Sequence, residues 1–446
     1  MKKIAKLIAP LALACLLLFA VVGCGTGTLT ETPNAGIPAG MPEGLGDYDT
    51  VAYYSIADEN DVEFAFEIDE VQKVSFMYRV LDSGDWSLSD GTMTVKASVF
   101  DGISAGDKRL RVFADDVYVE ITVRAVTKVI YTAEDFNSIR GDMNGTYVLG
   151  ADIDFKNAAF WPIGKPYTDD GEVAVFEGTL DGQGHTISNL KIDAYEYSED
   201  ENHYTEGGAD EWQGPSLGDR VSNGDNYNNG IFMTTSANAQ IENVNFVNIA
   251  VDCQGLSGPV VGTNGGHIRN CFISCTLSSH ADWSERVGGI VGMNGTSESA
   301  GVIENCVVYY TLAEGKTPRG FADWNVGIIR NCYAAPADDY VYLPGFEYDE
   351  ATDTGAVPED FDINTYITAE NVGTVGFGYY NLPALPGSFD SATQTYYPAG
   401  ENKIVNAEIV RKEVLLDPAN FSAADGWDSE IWCFQAGAFP YVRVQA

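Results

Sequence analysis

The chain has 446 residues and sets 25 basic against 65 acidic side chains, a formal net charge of −40. A surface of that sign repels phosphate backbones and anionic head groups, which argues against nucleic-acid binding and lipid-surface docking. It favours solubility at a crowded surface over collection of divalent cations, and 45% hydrophobic residues leave material for more than one core.

The start, Met1-Lys2-Lys3-Ile4-Ala5-Lys6 and then an apolar run from Leu7 to Val22 broken by Pro10, reads as a secretory signal over residues 1–23. Its close, Val21-Val22-Gly23-Cys24, resembles the lipobox of bacterial lipoproteins. The resemblance implies cleavage after Gly23, lipid on Cys24, and a protein held to the cell envelope by that lipid and facing outside the cytoplasm. No later apolar run is long enough to span a bilayer. Residues 24–46 are rich in Gly, Pro, Thr and Ala, the composition of a flexible tether behind the lipidated Cys.

Residues 47–128 read as an all-β module. Segments 62–68, 74–80, 93–99, 110–113 and 117–123 alternate apolar and polar, with turn sequences such as Asp82-Ser83-Gly84-Asp85 between them. Short strands at that spacing predict a β-sandwich. The stretches 88–95 and 106–112 resemble the Ig-like modules of bacterial carbohydrate-active surface proteins, which implies an Ig-like spacer.

Residues 129–446 form the largest segment. Thr132-Ala133-Glu134-Asp135 predicts a short capped helix whose Ala133, Phe136 and Ile139 share a face, able to cover the first coil. A phrase Ile-x-Asn, followed by Leu, Val or Cys, then recurs at Asn189, Asn243, Asn270, Asn305 and Asn331, at intervals of 54, 27, 35 and 26 residues. Repeats of that size with β-branched residues, Asn and Gly predict stacked coils of parallel strand, with the five Asn in a structural ladder. Three of eight cysteines, Cys271, Cys306 and Cys332, hold one repeat position, where stacked side chains point the same way. That is poor geometry for a disulfide and predicts a column of free buried thiols. Cys253, Cys275 and Cys433 are the other three outside the first 24 residues.

Three copies of a longer unit run from Gly258 to Cys271, Gly289 to Cys306 and Gly320 to Cys332; the second carries an insertion between Asn294 and Gly301, and the third has Asp323 where the first has Gly262. With Gly288-Gly289-Ile290-Val291-Gly292-Met293-Asn294-Gly295, this block resembles GLUG-motif bacterial surface proteins. The resemblance covers about 129–335 and returns in Gly426-Trp427-Asp428, Ile431-Trp432 and 439–442. It implies a right-handed parallel β-helix, a pectate-lyase-like solenoid. Residues 336–425 carry no clear repeat and read as irregular coils and loops closing the C-terminal end.

Hydrolysis of a polysaccharide would need two carboxylates across one groove, one held protonated. Asp152, Asp154 and Asp181 sit in phrases similar to ones that recur in non-catalytic GLUG-like chains, and that resemblance implies that they bond backbone at turns. Arg269, Arg286, Arg319 and Arg330 are available to a lyase, but Arg269 and Arg330 lie at outward repeat positions. The histidines, His185, His203, His267 and His280, form no His-Glu-x-x-His, and no Gly-x-Ser-x-Gly elbow or Walker loop occurs. No catalytic residue and no bound metal is expected.

The first repeat interval is doubled by an insertion over 195–230 that carries Tyr195, Tyr197, Tyr204, Trp212 and Tyr227 among acidic residues. Aromatic faces stack on sugars and carboxylates accept hydroxyl hydrogen bonds, so these five are the candidate ligand-binding residues. Asn223-Gly224-Asp225-Asn226-Tyr227-Asn228 offers oxygen ligands for calcium, at a spacing that matches no EF-hand-like loop. No cofactor is expected, calcium being the one ion such a composition suits. The sequence thus predicts non-catalytic binding of an extracellular glycan or surface protein. The rivals are a lyase or glycoside hydrolase with carboxylates in a groove, and a structural surface-layer component.

Overall fold

The computed structural model describes residues 50–66, 70–114, 117–164, 174–193, 228–252, 256–278, 287–296, 299–312, 320–325, 327–337 and 403–444, with four short strands between 348 and 397. The fold is all-β. Its two α-helices among the described residues, Ala133–Asn137 and Lys412–Leu415, are each about one turn, and neither is long or apolar enough to cross a membrane. The chain divides into two units, residues 1–129 and 130–445.

In the first unit, Val51–Ser55, Val117–Val126, Gly106–Ala114, Lys73–Phe76 and Arg79–Val80 lie side by side in that order, the first pair parallel and the rest antiparallel. A second, antiparallel sheet holds Val62–Ala65, Thr92–Val95 and Trp86–Ser89. Alternation explains the pairing of faces: Val62 and Phe64 are buried while Glu63 and Ala65 are exposed. The two sheets share one core, with Phe100 at ring-centroid distances of 4.9 Å from both Tyr54 and Phe76. Each fully buried side chain of this size contributes about 1.5–3 kcal/mol. Two expectations need correction. The segment 74–80 is two strands, because Met77 takes a left-handed turn at φ 52°. The segment 93–99 ends its strand at Val95 and enters a 3-10 turn over Ala97–Val99. Strand Val51–Ser55 was not legible, since it shows no clean alternation of apolar and polar residues, and Trp86–Ser89 alternates over only four residues.

The second unit is a stack of tiers in which each strand pairs parallel, in register, with its counterpart in the tier before. The first face runs through Thr146–Leu149, Thr179–Asp181, Gln240–Glu242, His267–Arg269, Val302–Glu304, the start of Ile328–Pro336 and the start of Lys403–Ile409. These define tiers one to seven. The second face holds Ile153–Asp154, Thr186–Ser188, Asn245–Asp252, Phe272–Ser278, Val307–Leu312 and the later parts of the last two strands. The third face is a separate sheet of Phe232–Thr235, Val261–Asn264, Val291–Asn294 and Ala322–Asn325.

Neighbouring parallel strands sit about 4.8 Å apart, so equivalent side chains stack in columns. Tyr147, Leu180, Ile241, Ile268, Ile303 and Ile329 make one inward column, and Val244, Cys271, Cys306, Cys332 and Ala407 another. All belong to one continuous core. The tiers approach so closely at the third face that a Cβ on Gly289 would run into the Gly320 carbonyl, which is why glycine stands there.

At the start of the stack, Thr132 Oγ1 accepts from the Asp135 amide at 3.1 Å, and Asp135 Oδ2 accepts from the Thr132 amide at 3.1 Å. This capping box fixes a helix that ends at Asn137, earlier than expected; its Phe136, and Ile139 of the 3-10 turn Ser138–Gly141 that follows, are buried in the stack's core. At the other end, most of the stretch expected to close the stack irregularly, 338–402, lies outside the described residues, and the described part that follows departs from that expectation. Strand Lys403–Ile409 is a regular seventh tier, and residues 410–444 run back along the outside of the second face. They bury Phe421, Trp427, Trp432 and Val442 against outward-facing Phe272, Val307, Tyr309 and Tyr333.

Candidate functional site

The corner between the first and second faces is tight. Asn243, Asn270, Asn305 and Asn331 occupy it in successive tiers, all at φ between 50° and 56°. Asn adopts this left-handed conformation at little cost, and its amide finds a partner in the next tier. Asn243 Nδ2 donates to Asp181 Oδ1 at 3.0 Å, Asn270 to Asn243 at 3.1 Å and Asn305 to Asn270 at 3.4 Å. A carboxylate only accepts, so Asp181 ends the ladder and sets its direction. The ladder also has a member the sequence reading missed. Asn406 donates to Asn331 at 3.4 Å, from a phrase Ile404-Val405-Asn406-Ala407 that differs only in its final Ala. Between Asn305 and Asn331 the ladder is interrupted: Asn305 Oδ1 is buried without a hydrogen-bond partner, and Gly426 of the C-terminal segment lies beside both amides.

Asn189 is not part of this ladder, which corrects the sequence expectation. Ile187 pairs with Phe246, not Ile241, and the counterpart of Ile241 in tier two is Leu180. Asn189 instead donates to Asp154 Oδ1 at 2.8 Å and accepts from Asn248 Nδ2 at 2.7 Å. This short ladder marks a bend within the second face. It stops after tier three, where Asn248 lies in a bulge, between Phe246 and Ile249, that the next tier lacks. Any Ile-x-Asn that ends a strand in a left-handed turn fits the phrase, so local pattern alone could not separate the two corners.

A third ladder, wholly buried, runs along the third face. Thr235 Oγ1 donates to Asn264 Oδ1 at 2.8 Å, Asn264 Nδ2 to Asn294 Oδ1 at 2.9 Å, and Asn294 Nδ2 to Asn325 Oδ1 at 2.9 Å. Its sequence signal is the Asn-Gly pair at Asn264 and Asn294.

Outside the first face, Glu242, Arg269, Glu304 and Arg330 occupy one register position and alternate in sign. Arg269 pairs with Glu242, and Arg330 Nη2 reaches Glu304 Oε2 at 2.8 Å, with His267 Nε2 at 3.1 Å from the same oxygen. Burial pushes the Glu304 carboxyl up, but the bond and charge of Arg330 outweigh it, with His267 helping, and it titrates below its ordinary range. Burial likewise holds His267 below the usual imidazole range despite Glu304. Half-exposed pairs of this kind contribute about 0.2–1 kcal/mol each.

The three candidate aspartates are occupied with structure. Asp152 Oδ1 accepts from the Thr186 amide at 2.8 Å and lies 3.2 Å from His185 Nδ1. Asp154 accepts from the Lys156 amide and Asn189, both at 2.8 Å, and the Asn189 bond holds its carboxyl below the usual range. Asp181 accepts from the Gln183 amide at 3.0 Å and from Asn243. The described carboxyls whose acidity is shifted, Asp107, Asp154 and Glu304, all move toward the ionised form, opposite to what a general acid needs. Among the described residues, no group of three or more His, Cys, Asp or Glu is arranged to hold a metal.

Cys271, Cys306 and Cys332 are free, fully buried and in register. Their sulfurs lie 4.0, 3.9 and 3.9 Å from the Ile241, Ile268 and Ile303 carbonyls of the preceding tier. Burial pushes the Cys271 and Cys306 thiols well up, so they behave as small hydrophobes rather than nucleophiles. Cys275 and Cys433 are also buried and free, and Cys253 lies outside the described residues.

The corner after the second face behaves differently from all of this. The strand Lys191–Asp193 pairs with Ala250, Val251 and Asp252, and Asn228–Asn229 pairs with Leu256–Ser257. The last described strand before the long insertion therefore ends at Asp193 and the next begins at Asn228, beside the place where tier three passes from Asp252 to Leu256. Later tiers leave at the same corner, after Ser278, Leu312 and Ala337. Tyr195, Tyr197, Tyr204, Trp212 and Tyr227 lie outside the described residues, as does Cys24.

No family model matches the chain. Over 174 residues it is 32% identical to halomucin of Haloquadratum walsbyi (strain DSM 16790 / HBSQ001), a match that takes in 37% of this chain and 2% of halomucin. The chain thus spans a small fraction of that much longer relative.

Proposed function

We propose that this chain is a lipid-anchored cell-envelope protein that displays a right-handed β-helix of the GLUG-like kind for non-catalytic binding of an extracellular glycan or surface protein. Cys24 carries the lipid, residues 25–46 tether it, and the two-sheet unit is an Ig-like spacer that sets reach. The stacked tiers are the rigid element, and the insertion at 194–227 supplies the contacts through Tyr195, Tyr197, Tyr204, Trp212 and Tyr227.

One observation carries the choice of binding over turnover. Asp152, Asp154, Asp181, Glu242 and Glu304 are each held by an amide, a guanidinium or an imidazole. A hydrolase needs one carboxyl kept protonated and a second facing it across a groove, whereas these residues are taken up by contacts within the stack, and Asp154 and Glu304 are shifted toward the ionised form. The chain is lengthened instead at one corner, where loops on a rigid scaffold supply recognition. The match to a small share of halomucin is compatible with a module that recurs in longer chains.

A glycan-array screen of residues 25–446, with and without calcium and beside Trp212→Ala, tests the reading. Binding that disappears in Trp212→Ala, with no shortened products, is the expected result. Unsaturated or shortened sugars would transfer the reading to a polysaccharide-degrading enzyme, and silence on every glycan would leave a protein partner or a structural role. Mass spectrometry of the membrane fraction, compared with Cys24→Ser, tests the lipid.

A further inference from the structure

In a stack of like tiers, each tier touches only its neighbours, so stability is a sum of local terms and tiers can be lost one at a time from an open end. The segment 410–444 breaks that rule. It leaves the seventh tier at Val410, whose amide donates to the Ala334 carbonyl at 2.8 Å. Trp427 then stacks on Tyr333 of tier six at 5.8 Å, and Phe439 lies 4.5 Å from Tyr309 of tier five and 6.0 Å from Phe272 of tier four. A short hairpin, Trp432–Cys433 with Tyr441–Val442, carries the chain farther back. Asn245 of tier three, itself buried, receives its end: Oδ1 accepts from the Val442 amide at 2.8 Å, and Nδ2 donates to the Val442 carbonyl at 2.9 Å. The same Nδ2 donates to the Gly184 carbonyl of tier two at 2.7 Å, and a Cβ on Gly184 would collide with the Arg443 carbonyl.

We infer that residues 410–444 are a longitudinal clasp, which couples tiers two to six into one cooperative unit and returns the chain to the end of the stack at which it entered. The side chain of Asn245 acts there as a substitute peptide group, pairing with both polar atoms of one residue 197 positions away. That pairing crosses the stack direction, so opening any one of these tiers strains contacts that the clasp makes on the others. The last tiers of an open stack are the most exposed to fraying, and the clasp ties tier six back to tiers two and three.

Native-state hydrogen exchange on the full chain tests this. The clasp predicts that amides of tiers three to six in the unmodified protein share one opening free energy, where an unclasped stack would show protection falling stepwise toward tier seven. Phe439→Leu, a change confined to the clasp, is expected to raise exchange at least about tenfold in all four tiers, with Asn245→Ala acting likewise. Cys306→Ala, a change inside one tier, serves as the comparison for ordinary core loss. Stepwise protection in the unmodified protein, or faster exchange confined to 410–444 in Phe439→Leu, would overturn the inference.

Discussion

The two corners that flank the second face solve opposite problems. At the first, five tiers turn through an Asn whose backbone is left-handed, in four of them its side chain bonds the tier before, and the chain crosses in a few residues. At the second, as few as three residues lie between one described strand and the next after Asp252, and many more after Asp193. A ladder needs every tier to present the same group at the same height, which forbids variation in length. The corner without a ladder is free to accept insertions, because lengthening a loop costs only about 0.6 kcal/mol per doubling. Rigidity and variability are thus separated by the width of one sheet.

The comparison is broken most severely at the tight corner. Asn270→Val puts a β-branched residue at φ 51° and removes one amide from the middle of the ladder. The expected loss is about 3 kcal/mol, from strain plus buried groups left unsatisfied, read as a lower urea midpoint. Beside it, Cys306→Ser replaces a buried thiol by a hydroxyl of nearly equal size, for an expected loss of about 1–3 kcal/mol on the same measurement. Replacing 194–227 by a four-residue Gly-Ser turn tests the permissive corner. Stability should change by no more than about 2 kcal/mol, in the favourable direction, while glycan binding is abolished. A collapse in stability there would erase the distinction between the corners.

The smallest effect concerns charge. Asp154 and Glu304 give up their protons more readily in the folded chain than in the unfolded one. Their contribution is full above the ordinary carboxylate range and fades as pH falls through the depressed folded values, so stability rises with pH across that acid window. Asp154→Asn should flatten the slope, and Arg330→Ala should cost about 0.2–1 kcal/mol at neutral pH, less in high salt.

Much of the stack was legible because its columns repeat. Ile241, Ile268, Ile303 and Ile329, with their following Asn, recur at nearly constant intervals, and only parallel pairing makes such positions neighbours. Asn189 misled because the same dipeptide chemistry serves a bend elsewhere in the tier, and Asn406 was hidden by distance along the chain. The third-face ladder was harder to see, since Thr235 begins it and Trp324-Asn325 ends it without the Asn-Gly pair. The clasp was invisible for a different reason. Its docking residues Asn245, Phe272, Val307 and Tyr333 share one register position, but the side chain there changes character from tier to tier, and the segment that covers it lies far along the chain. As for the candidate site, composition pointed to Tyr195, Tyr197, Tyr204, Trp212 and Tyr227, which lie outside the described residues, between the strands that end at Asp193 and begin at Asn228.

The clasp also acts as a measuring rod for the gene. Duplicating one repeat would add a tier about 4.8 Å tall, and a solenoid alone would absorb it without complaint. Here the fixed run of chain from Trp427 on Tyr333 to Val442 on Asn245 would fall short by that height, and one of its two docking points would have to be abandoned. Growth by repeat duplication is therefore open to this architecture only outside the clasped span or together with a longer clasp. The tier count between Asn245 and Tyr333 becomes an inherited constant, while the loops at the permissive corner drift.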